Sequence, residues 1–189
     1  MKRKILNVMP ECYVDTNLIE YLLDGVVNHQ HCCSKVVGQL NKTFADMFAI
    51  GIIDKDKVEL GYIQDCDEIA KTEHLTLLKH KSRHQYLITI SPAVDKFVLD
   101  SAKEQGVDTE KYNLPSTLKE FTKLSKSITS NTDERFKNLF AAINGNSEFG
   151  ALKRTLEYLL DKQYNTDISE LTQIFGGEAR EENRITGEV

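Results

Sequence analysis

The stretch FAIGIIDKDK, residues 48–57, runs six mostly apolar residues straight into two aspartates, Asp54 and Asp56, with Lys55 between them and Lys57 after. A short apolar run bounded by charge reads as a strand buried on both faces, the habit of parallel strands covered by helices. Strand side chains alternate faces, so residues i and i+2 point the same way. A strand that persists through residue 56 therefore sets both carboxylates on one face at its carboxyl end, which is where open α/β sheets bind ligands. Carboxylates held that close repel, and one takes up a proton unless a cation sits between them.

Outward from this strand the chain alternates. KILNVM (4–9) is β-like, and TNLIEYLLDG (16–25) carries Leu18, Ile19, Leu22 and Leu23 at helical spacing before Gly25. KVVGQLNKTF (35–44) predicts a second helix, which leaves only a short strand near 29–34. HLTLLKH (74–80) and QYLITI (85–90) predict two more strands, whereas VELGYIQDCDEIAKTE (58–73) carries only a weak helical pattern. Such alternation implies an α/β fold with an open, mostly parallel sheet flanked by helices.

The pattern changes at SPAVDKFVLDSAKEQG (91–106). Ser91–Pro92 opens a helix there with Val94, Phe97, Val98 and Ala102 on one stripe. Beyond it strands disappear. Asn131 and Glu134 have capping-box spacing ahead of Phe136, Leu139, Phe140 and Ile143. NGN (144–146) ends that helix, and EFGALKRTLEYLL (148–160) and DISELTQIF (167–175) supply two more. The expected division is an α/β core over residues 1–100, a helical C-terminal cap packed on it over 101–175, and a polar, mobile tail over 176–189. The aromatic stripes of the cap read as core packing.

The 189 residues carry 24 basic and 29 acidic side chains, a net charge of −5, which argues against a protein that coats nucleic acid non-specifically. One local basic patch stands out, KHKSRH (79–84), with Lys79, Lys81 and Arg83; the same residues also suit a polar hairpin turn. No apolar run approaches the roughly 18 residues of a membrane span. MKRKILNVMPEC reads as a first strand and not as a signal peptide, so the expectation is a cytoplasmic protein with no membrane partner. The knot of His29, His31, Cys32 and Cys33 is too tightly spaced for zinc and reads as an ordinary half-buried segment.

A second acidic pair arrives in MPECYVD (9–15). Glu11 stands just past the first strand, and Asp15 lies at the start of the following helix. With strands 4–9 and 48–54 side by side, Glu11, Asp15, Asp54 and Asp56 converge at one sheet edge. Four carboxylates so placed make a one- or two-ion site for Mg²⁺ or Mn²⁺, the hard cations that prefer oxygen ligands. Taken singly, each has a plainer reading: Asp15 as a helix N-cap, DKDK as a polar turn.

The order ILNVMPECYVDTNLIEYLL followed by FAIGIIDKDK resembles the Toprim fold, closest to OLD-like (overcoming lysogenization defect) nucleases and the standalone Toprim proteins of bacterial defence systems. The resemblance covers residues 4–100. It implies a Mg²⁺-dependent nuclease, a hydrolase of phosphodiesters in DNA or RNA, with an ATPase partner protein in the defence setting. On that match Glu11 is the catalytic glutamate, Asp15 the second acid of the OLD-like version, and Asp54 and Asp56 the D-x-D pair. Asp95 in ITISPAVDKF is a weaker candidate. Lys55, Lys57, Lys79, Lys81 and Arg83 are the expected phosphate contacts. The chain departs from the family pattern at Cys12, where a glycine is usual, and in its weak helix after D-x-D. YVDTN also resembles the opening of a PIN-domain ribonuclease with Asp15 as lead ligand, and a non-catalytic α/β interaction module is the third reading.

Overall fold

The computed structural model describes residues 2–55 and 61–176. The first strand is bent into two pieces, β1 (Arg3–Ile5) and β2 (Val8–Pro10), joined through Leu6 and Asn7. Helix α1 (Tyr13–Leu23) leads to β3 (Gly25–Val27), and α2 (Cys33–Asn41) to β4 (Ala49–Asp54). A short α3 (Gly61–Gln64) precedes β5 (Cys66–Lys71), β6 (Leu75–His80) and β7 (Gln85–Ile90). The remainder is helical, with α4 (Val94–Glu104), α5 (Leu118–Ser125), α6 (Glu134–Ala142), α7 (Ser147–Lys162) and α8 (Ile168–Phe175).

The five-stranded sheet has the order β2-β4-β7-β6-β5. Strands β2, β4 and β7 are parallel, with Val8 opposite Ile50 and Ile50 opposite Tyr86, and β6 and β5 return antiparallel. β3 pairs with β1 in parallel, and the pairing continues past the bend through Asn28 N–H to Val8 O and Gln30 N–H to Pro10 O. The chain thus steps from β2 to β3 on one side, then crosses through α2 to β4 on the other. That reversal is a topological switch point, and it opens a crevice between the carboxyl ends of β2 and β4.

β4 is buried along its whole length because each face meets a separate core. Ile50 and Ile52 pack with α1, α4 and the C-terminal helices, and Ala49 and Ile53 pack with Val36 and Leu40 of α2. Gly51 allows the close approach of α2: a Cβ there would lie 2.8 Å from both Val36 Cγ1 and Leu87 Cδ1. The C-terminal helices share the first core. Phe97 stacks on Phe149 at 4.9 Å, and Phe121 meets Phe136 edge-on at 5.5 Å. Residue 100 falls inside α4, so apolar packing runs across that position without a break.

Several sequence expectations shift. α1 begins at Tyr13, three residues ahead of Thr16, with Cys12 and not Asp15 at the N-cap. The short strand expected near 29–34 is β3, which occupies 25–27. CDEIAK forms an edge strand, β5, whose charged, half-exposed residues hide the β pattern. α4 starts at Val94 behind Ala93, not at Ser91–Pro92, which is a cis peptide. Asp133, not Asn131, caps α6, accepting from Arg135 N–H, and α5 has no counterpart in the sequence reading.

Candidate active site

Glu11 follows β2, Asp15 lies in the first turn of α1, Asp54 ends β4 and Asp95 lies in the first turn of α4, so four elements deliver four carboxyls to the switch-point crevice. All four are buried, with Asp15 only 1% exposed. Glu11, Asp54 and Asp95 line a cleft of about 220 Å³ together with Cys12, Tyr13, His29, His31 and Lys126.

Backbone amides hold three of these acids. Asp54 N–H donates to Glu11 Oε2 at 3.2 Å, Val94 N–H donates to Asp54 Oδ1 at 3.0 Å, and Cys12 N–H donates to Asp15 Oδ2 at 3.0 Å. Asp54 thus sits on the N-terminus of α4, where the helix dipole favours negative charge. Asp15 closes the capping box of α1 from the third helical position. Its other oxygen, Oδ1, and Asp95 Oδ1 are buried without a hydrogen-bond partner among the described residues. Burial first, then the charges of Asp54 and Glu11, holds the Asp15 carboxyl well above the usual carboxylate range. Burial and the neighbouring Asp15 likewise push the Cys12 thiol up, so it is no thiolate nucleophile.

The run DTN at 15–17 serves three partners in succession. Asp15 faces the acids. Thr16 Oγ1 lies 2.8 Å from His29 Nδ1. Asn17, fully buried, donates through Nδ2 to Ser130 O at 2.7 Å and Asp133 O at 3.1 Å, clamping α1 to the helical region.

The expected phosphate contacts divide. Lys79, Lys81 and Arg83 stand at the β6–β7 turn, beside the amino end of β4, so a strand length of about 17 Å separates them from Asp54. There Lys79 Nζ donates to the carbonyls of His80 and Arg83, Lys81 Nζ to Gln64 O, and Arg83 to Asn41 Oδ1. The fold gives the hairpin-turn reading of KHKSRH and does not bring these cations to the acidic cleft. Lys55 follows Asp54 and lines a separate hollow with Ile63, Glu68 and Thr89. Asp56 and Lys57 lie outside the described residues. Among the described residues the cation that does line the cleft is Lys126, after α5, more than a hundred residues from Glu11 in sequence. Nothing local in its surroundings marks it, and the same holds for the placement of His29 and His31.

Among the described residues no group of three or more His, Cys, Asp or Glu side chains is already arranged to hold a metal ion. The four acids nevertheless suit a hard divalent cation: they offer carboxylate oxygens, and two of these are buried without a partner among the described residues. No helix among the described residues is long and apolar enough to cross a membrane. No family model, curated protein or solved structure matches this chain.

Proposed function

We propose that the chain is a Mg²⁺- or Mn²⁺-dependent hydrolase of phosphodiesters, a nuclease of Toprim-like type. The observation that carries this reading is the convergence of Glu11, Asp15, Asp54 and Asp95 at the switch point, with Asp15 Oδ1 and Asp95 Oδ1 buried and without a partner among the described residues. Four acids in one small volume are costly to bury unless a cation neutralises them. Glu11, Asp15 and Asp54, with Asp95 beside them, would hold the ion, and the D-x-D likeness would add Asp56 as a further ligand. A bound divalent ion would activate water and offset charge on the phosphoryl oxygens. The chain's own part is to fix the acids through the amides of Cys12, Asp54 and Val94, and to set Lys126 across the cleft as a counter-charge for the phosphate.

The parallel β2–β4 pairing supports the Toprim-like reading, since it brings the glutamate and the first aspartate of D-x-D to adjacent strand ends. A PIN-like site would lead with an aspartate at a strand end, whereas Asp15 lies inside α1. A defence role with an ATPase partner belongs to the same proposal by family likeness. The test is hydrolysis of DNA and RNA oligonucleotides with Mg²⁺ or Mn²⁺, by the native chain and by Glu11→Gln and Asp54→Asn. Metal-dependent cleavage that both variants lose at unchanged circular dichroism supports the proposal. Cleavage that survives in both variants refutes it, and no cleavage by the native chain favours the interaction module.

A further inference from the structure

The cleft carries a proton relay on its rim. Thr16 has a single hydroxyl proton, and Thr16 Oγ1 gives it to Cys12 O at 2.7 Å. Thr16 Oγ1 can then only accept from His29, so His29 Nδ1 carries a hydrogen and donates across 2.8 Å. Burial above all holds His29 below the usual imidazole range, so with a hydrogen on Nδ1 its Nε2 is an acceptor near pH 7. The 2.9 Å contact between His29 Nε2 and His31 Nδ1 is therefore donated by His31. The direction of the Thr16 hydroxyl, with His29 neutral, sets the sense of both contacts, and in the neutral His31 ring Nε2 is then the acceptor nitrogen.

Two further features hold this geometry. Tyr13 stacks on His29 at 4.6 Å and meets the exposed His31 edge-on at 5.8 Å, and the two imidazoles meet edge-on at 4.2 Å. His31 itself has φ of 76°, in the left-handed region that a side chain with Cβ rarely adopts. Lys35 on α2 and Cys12 beside Tyr13 complete the titratable surroundings on that side, and Glu11, Asp54, Asp95 and Lys126 those across the cleft.

We propose that His31 is the general base of this site, with Thr16 and His29 as positioning residues that keep its Nε2 unprotonated. The proposal rests on the phosphodiester-hydrolase reading above. His31 Nε2 takes one proton from an attacking water, and an electron pair of that water's oxygen forms the new bond to phosphorus. The bond from phosphorus to the leaving sugar oxygen breaks with its electron pair. The proton on His31 returns through solvent to that alkoxide, giving a phosphomonoester and a free hydroxyl.

The first measurement is long-range ¹H–¹⁵N NMR of the histidine rings near pH 7.5 without metal, which reads the tautomers directly. His31 is expected as the Nδ1–H form, the opposite of the form imidazole side chains favour in water. Thr16→Ser should keep it and Thr16→Val should lose it. A native His31 in the Nε2–H form overturns the relay whatever the chain hydrolyses. The second measurement is Mn²⁺-dependent hydrolysis of bis(p-nitrophenyl) phosphate. His31→Gln should lower kcat by about 10²–10⁴-fold with little change in KM, and added imidazole should restore part of the rate. An unchanged kcat in His31→Gln overturns the base role. If the native chain hydrolyses nothing while His31 is Nδ1–H, the hydrolase reading and the base role both fall, and the relay stands as a structural feature.

Discussion

Asp54 donates its backbone N–H to the carboxylate of Glu11 at 3.2 Å, so the end of β4 is tied to the end of β2 by a charged side chain. Glu11 is therefore both a structural acceptor and a candidate ligand, and substitutions can separate the roles. Glu11→Gln keeps an acceptor for that amide and loses the charge. It should leave the fold intact and lower hydrolysis on the order of 10³-fold, the equivalent of several kcal/mol of lost charge stabilisation. Glu11→Ala should in addition lower stability by about 1–3 kcal/mol, because a buried amide loses its partner. Denaturant melts beside activity assays distinguish the two.

Asp15 is held in its proton-binding form by burial and by Asp54 and Glu11. A carboxyl raised in the folded state binds more protons there than in the unfolded chain, so its ionisation destabilises the fold as pH rises above about 3.8. Asp15→Asn, which keeps an oxygen for Cys12 N–H, should raise Tm near neutral pH in EDTA. Mn²⁺ should reverse the order. At a hundred times its Kd the ion adds about 2.7 kcal/mol to the native protein and less to the variant. Calorimetry with and without metal checks both halves.

Asn17→Ala removes both Nδ2 bonds from α1 to the carbonyls of Ser130 and Asp133. The buried Ser130 carbonyl loses its donor and the part-buried Asp133 carbonyl keeps only Phe136 N–H, at a cost of about 1–3 kcal/mol. Hydrogen exchange should quicken first at residues 128–134 and in the first turns of α1, ahead of the β4–β7 ladder.

His74 is buried between two carboxylates. Its Nδ1–H donates to Glu148 Oε2 at 2.6 Å and its Nε2–H to Asp100 Oδ2 at 3.0 Å, so the ring is the imidazolium. Burial alone would push His74 down, but the hydrogen bonds to Glu148 and Asp100 hold it above the usual 6.5. Burial would raise Glu148, yet the Thr72 hydroxyl and His74 pull it below 4.5, and Lys96 and His74 pull Asp100 below 3.8. The raised histidine contributes fully below pH 6.5 and is lost as pH rises through its folded value. The depressed acids contribute above 4.5 and 3.8 and are lost as pH falls through theirs. Stability from this cluster should therefore peak between about pH 4.5 and 6.5. His74→Leu should cost about 3–5 kcal/mol near pH 6, because the half-buried Glu148 loses its counter-charge while Asp100 keeps only Lys96, and should flatten the alkaline limb of the Tm profile.

Gly51→Ala places a methyl within 2.8 Å of Val36 and Leu87 on the α2 face of β4. The expected loss is about 1–3 kcal/mol from overpacking. Because Asp54 closes the same strand, a shift of β4 should also weaken metal binding, which titration calorimetry detects.

Local pattern was enough for the strands 48–54, 74–80 and 85–90, for α2, α7 and α8, and for the α/β class, because apolar periodicity and flanking charge act within a few residues. It also singled out Glu11, Asp15 and Asp54 as acids that gather if the first and fourth strands neighbour each other, which β2 and β4 do. The β5 edge strand and the true caps of α1, α4 and α6 were hidden, since edge polarity and cap geometry depend on what packs beside them. Only the tertiary structure decided which charges share a site. It put Lys79, Lys81 and Arg83 at the far end of the sheet and brought Lys126, His29 and His31 to the acids. Spacing along a chain fixes which face a side chain occupies within one element. Which elements meet at a strand end is set by the order in which parallel strands are wound, and no short stretch of sequence carries that order.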